Sequence, residues 1–62
     1  MKQELLFEMK RLKGFIVSSE QRVDRMALIG NNQGVQSEKR YIVRCKLRLA
    51  AIERELEELE IN

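Results

Sequence analysis

Histidine, proline and tryptophan are missing from this 62-residue chain, and cysteine occurs once. Without histidine there is no ordinary proton shuttle near neutral pH and no Cys/His set for a zinc ion. A single cysteine, Cys45, cannot close an intramolecular disulfide. Without proline, no helix interior loses a backbone donor. No apolar run approaches the ~18 residues that span a bilayer. Met1-Lys2-Gln3-Glu4 leads into only three apolar residues before Glu8, which is unlike a secretory signal. Phosphate-binding loop, dinucleotide fingerprint, calcium loop and zinc spacing are all lacking. These gaps together lead to the expectation of a cytoplasmic protein with a reduced thiol. It is expected to be no enzyme, to hold no metal or cofactor, to take no small-molecule substrate and to cross no membrane.

Size narrows the choice further. A fold of about 60 residues hides only about 60 % of the surface its unfolded chain exposes. Such domains lean on disulfides, a metal or self-association. With the first two removed by composition, association is the remaining route.

What is present is a helical composition with two ladders in it. Charged residues make up 35 % of the chain. In the first half, Leu5, Met9, Leu12, Ile16, Ser19, Val23 and Met26 follow at alternating steps of four and three residues. In the second half, Val35, Glu38, Ile42, Cys45, Leu49, Ile52, Leu56 and Leu59 do the same. This spacing sets each ladder on one stripe of a helix, the seam geometry of coiled coils and bundles. Ser19 and Glu38 are the polar rungs.

Between the ladders lies Gly30-Asn31-Asn32-Gln33-Gly34, whose glycines and asparagines tolerate the backbone that ends a helix and reverses the chain. Ser37 reads as the N-cap of the second helix, with Glu38 suiting its positive end. The spacing predicts one all-α hairpin domain over 1–62, with helix 1 at about 2–29, a turn at 30–36 and helix 2 at about 37–60. Gly14 is a weak point at which helix 1 could break before Ser18, although the heptad phase runs through it unchanged.

Charge tests the pairing. Folding about Asn32 sets Glu53, Glu55, Glu57, Glu58 and Glu60 beside Lys2, Lys10, Arg11 and Lys13, and Lys39, Arg44 and Lys46 beside Glu20 and Asp24. The turn half, residues 20–48, holds seven basic residues against three acidic ones, whereas the open half holds five against seven. Two copies placed head to tail would set unlike ends together. Apolar residues outside the seams need cover as well. The oligomer interface expected from them comprises Phe7, Phe15, Val17, Leu28, Tyr41, Val43, Leu47 and Ala50. An antiparallel homodimer, closing into a four-helix bundle, would supply that cover.

The preferred functional reading is therefore a non-enzymatic protein–protein interaction module, a small homo-oligomeric regulator or adaptor of a larger, unidentified protein. A rival is a regulator that binds RNA or DNA. Arg40, Arg44 and Arg48 recur every four residues along one helix and, with Arg22 and Arg25, could follow a phosphate backbone, while Tyr41 stacks on an unpaired base. A third reading is an inhibitor presenting the acidic helix from Glu53 to Glu60. Cys45, although flanked by Arg44 and Lys46, reads as a buried structural thiol because it is a seam rung.

Overall fold

A computed structural model describes the backbone of residues 1–61 and the side chains of residues 1–60. Two helices, α1 (Lys2–Leu28) and α2 (Asn32–Ile61), pack against each other as a hairpin with backbone extents of 49 × 14 × 11 Å. Among the described residues there is no strand. The protein is thus all-helical, as the heptad spacing requires. No described helix is long and apolar enough to cross a membrane.

α1 runs without interruption through Gly14. The ladder on either side explains this. Leu12 and Ile16 both lie against α2, so their packing outweighs the roughly 1 kcal/mol that an interior glycine costs. All seven rungs of the first ladder are buried or half-buried. So are those of the second, save Leu59 near the open end, which is exposed. The seam read from spacing is the seam of the fold.

The turn is shorter than expected. α2 begins at Asn32, five residues ahead of the expected N-cap Ser37, which lies inside the helix. Asn31 is the reason. Its N–H donates to the Met26 carbonyl at 2.9 Å while the Gly30 N–H donates to Ala27 at 3.2 Å, and this pair of bonds closes the last turn of α1. The Asn31 side chain then turns forward, and its Oδ1 accepts the Gly34 N–H at 3.0 Å as the cap of α2. One residue therefore ends one helix and starts the next. Gly30, at φ +75°, supplies the only left-handed backbone among the described residues. Gly34 serves packing instead. A Cβ there would meet Met26 Sδ, so the bare backbone lets the first turn of α2 close on α1. Spacing alone marks both glycines as breakers, but only Gly30 is one.

Moving the start of α2 also moves the register. Among the described residues the interhelical ion pairs are Lys2–Glu60, Arg22–Glu38 and Arg48–Glu8, so the chain folds about Gly30 instead of Asn32. Of these, only Lys2 with Glu60 belongs to the charge pairing expected above. Lys39 lines one groove with Glu20 and Asp24, as expected, without reaching ion-pair distance.

Candidate interaction surfaces

The inside of the seam is small. Its buried residues are Ile16, Cys45, Ile52 and Ser19, of which Ile52 and Ser19 are 0 % exposed. A hairpin is one helix thick across its seam, so each helix keeps more than half its circumference outside.

The two polar rungs meet within this seam. Arg22 on α1 donates through Nε to Glu38 Oε1 at 3.1 Å and through Nη2 to Ser19 Oγ at 3.0 Å. The hydrogen bond from Arg22 holds the Glu38 carboxyl below its ordinary pKa, against the opposing effect of partial burial, with further help from Ser19. Glu38 Oε2 is buried without a hydrogen-bond partner of its own. One polar cluster thus marks a unique level at which the helices match, the role best attested for buried polar residues in helical seams.

A second cross-link lies toward the open end. Arg48 grips Glu8 with both arms of its guanidinium, Nε to Oε2 at 2.7 Å and Nη2 to Oε1 at 3.0 Å, and Nη1 stands 3.8 Å from Glu55. That bidentate bond lowers the Glu8 pKa and raises that of Arg48. Phe15 and Tyr41 occupy the same flank at the level between the two clusters. Arg11 lies over the Phe15 ring, 5.7 Å from its centroid. The Tyr41 phenol leans on the Cys45 thiol, one turn along α2, and this contact with desolvation raises its pKa.

The candidate nucleic-acid residues divide accordingly. Arg22 and Arg48 are engaged with carboxylates, and Tyr41 is turned toward the seam edge. Arg25 sits in the last turn of α1, where a cation suits the negative end of the helix. Only Arg40 and Arg44 remain together on open surface, lining one groove with Gln36, Lys39 and Val43, and neither has an ion-pair partner among the described residues.

The candidate interface residues divide as well. At 100° per residue, Val43, Leu47 and Ala50 stand opposite the rungs Ile42, Cys45 and Leu49, on the outer face of α2. Phe7, Val17 and Leu28 occupy the outer face of α1, and Phe15 and Tyr41 the flank. Leu28 is 86 %, Leu47 67 % and Phe7 64 % exposed. The eight residues share exposure but not one continuous surface. Phe7, Arg11 and Phe15 instead line a shallow groove on α1 with Glu4, Glu8 and Leu12.

Sequence reasoning missed Glu8 and did not join Ser19, Arg22 and Glu38. The signal for the latter was present, since Ser19 and Glu38 are the polar rungs of their ladders. What was lacking was the register that sets them level. Among the described residues no three His, Cys, Asp or Glu side chains converge as metal ligands would. Set against models of known protein families, curated proteins and solved structures, the chain matches none of them.

Proposed function

We propose that this protein is a non-enzymatic protein–protein interaction module, a cytoplasmic hairpin that works as a homodimer and regulates or adapts a larger protein. One observation carries the reading. With only four buried residues among those described, the hairpin leaves Leu28, Leu47, Phe7, Val43 and Val17 more than half exposed. Val43 and Leu47 adjoin on successive turns of α2, and an exposed apolar stripe of that kind marks a contact surface. Covering it supplies the stabilisation that a one-layer seam lacks.

Sedimentation equilibrium over a concentration series tests self-association directly. The native chain should weigh more than its 7.4 kDa monomer mass, and Leu47→Glu should shift the distribution toward that mass. A native chain that stays at monomer mass throughout, and retains no protein when used as bait in its own host, refutes the reading.

The second reading, binding of RNA or DNA, draws on Arg40 and Arg44, because these two candidate cations are open and have no ion-pair partner among the described residues. It requires an affinity that falls steeply with salt and a shallower slope in Arg40→Ala/Arg44→Ala. An affinity indifferent to salt rules it out.

A further inference from the structure

We infer that a second copy of this chain docks on the outer face of α2, antiparallel to the first, about a two-fold axis that passes beside the helix at the level between Arg48 and Leu49. The inference rests on the self-association proposed above and adds the surface and the direction.

The choice of face follows from continuity. Val43, Leu47 and Ala50 are exposed and occupy successive turns of α2, with Ala51 beside them. The outward apolar residues of α1 form no such stripe. Phe7, Val17 and Leu28 lie about three turns apart, with Lys10, Gly14, Gln21 and Asp24 on the same face between them. The flank is closed in another way, because the Arg22–Glu38 and Arg48–Glu8 pairs already satisfy its charges.

Charge selects the occupant. From Lys39 to Arg48, α2 carries five cations and no anion, whereas from Glu53 to Glu60 it carries five anions and one cation. The helix is thus complementary to its own reverse. With the axis between Arg48 and Leu49, Leu47 faces Ala50 of the second copy and Arg40 faces its Glu57. On one edge of the stripe, Lys46 meets Glu53 and Lys39 meets Glu60, each within about 3 Å of level at 1.5 Å of rise per residue. Two-fold symmetry makes every one of these contacts twice. A parallel pairing would set Lys39, Arg40 and Lys46 against themselves. Among the described residues, only Glu60 of these six has an ion partner within its own chain, the exposed Lys2 at 3.7 Å. Ala50, at the centre, lets the two backbones approach closely.

The arrangement departs from a closed four-helix bundle. Because the stripe points away from the seam, the helices would stand in a row, with the two α2 helices inside and an α1 on each edge.

Charge reversal tests the docking. One variant carries Lys39→Glu, Arg40→Glu and Lys46→Glu; the other carries Glu53→Lys, Glu57→Lys and Glu60→Lys. Under conditions where the native chain is dimeric, each variant alone should sediment at monomer mass, and an equimolar mixture should return to dimer mass. If a variant alone loses helix, recovery of far-UV ellipticity on mixing reports the same pairing. Variants that dimerise alone as well as the native chain does, or a mixture that recovers neither mass nor helix, overturn the inference. A native dimer indifferent to both charge sets and to Leu47→Glu removes this face while leaving self-association standing. A native monomer at every concentration removes both.

Discussion

Gly14 and Gly30 are the same residue type under opposite constraints. Gly14 has ordinary helical backbone, and a Cβ added there meets nothing within 4 Å. Gly14→Ala is therefore expected to stabilise the protein by about 1 kcal/mol. Gly30 also has open space around it, but its φ of +75° crowds any Cβ against its own backbone. Gly30→Ala should destabilise by about 1 kcal/mol. Thermal melts at one protein concentration separate the two, since 1 kcal/mol moves Tm by roughly 4–8 °C in a domain of this size. Shifts of the same sign would contradict the assignment of Gly30 as the helix terminator. The ion-paired carboxyls give a second expectation at this scale. Glu8 and Glu38 both titrate below their ordinary 4.5, each mainly through an arginine hydrogen bond. The unfolded chain consequently binds more protons than the folded one as pH falls through that value. The stability these pairs contribute is complete above it and is lost as pH drops through their lower folded values. Urea midpoints taken from about pH 7 down to about pH 3 should fall on the acid side, and Arg22→Gln with Arg48→Gln should flatten that fall.

The helices as elements depend on each other more than on their own propensity. α1 and α2 are both amphipathic, and most helical stability in proteins comes from tertiary packing of the apolar face, so it is the seam that holds them. Ile52 is fully buried within it, toward the open end. Ile52→Ala is expected to cost about 2–5 kcal/mol, which approaches the whole stability of a domain of this size. Far-UV circular dichroism should show most of the helix lost. Retained helicity with an unchanged urea midpoint would mean that the seam is not the stabilising surface. Cys45 fills the same seam as a small apolar group, which accounts for a thiol there without any reactivity. The Ser19–Arg22–Glu38 cluster acts on register. It contributes little net stability but penalises a slipped alignment, because sliding one helix by a heptad would set Glu38 against an apolar rung.

For the molecule as a whole, shape decides behaviour. A rod with one seam cannot hide its outer faces by folding, whatever its side-chain packing. A chain that hides them by association gains stability from concentration. The melting temperature of the native protein is accordingly expected to rise with protein concentration, and that of Leu47→Glu to stay nearly constant. Calorimetry at several concentrations reads both. A concentration-independent transition in the native protein would mean that the outer face of α2 adds nothing to its stability.

The heptad steps by themselves determined the helical class, the hairpin and nearly every rung of the seam, because side-chain direction on a helix depends only on position along the chain. Leu59 departs from the pattern at the open end, where little of α1 remains to cover it. Tertiary structure alone decided the rest. That Asn31 closes one helix and caps the next, that Gly34 belongs to α2, and that Arg22 and Arg48 are occupied by Glu38 and Glu8 all depend on how far one helix slides along the other. A heptad ladder fits its partner equally well at offsets of seven residues. The turn's hydrogen bonds and the meeting of two polar rungs select one of them.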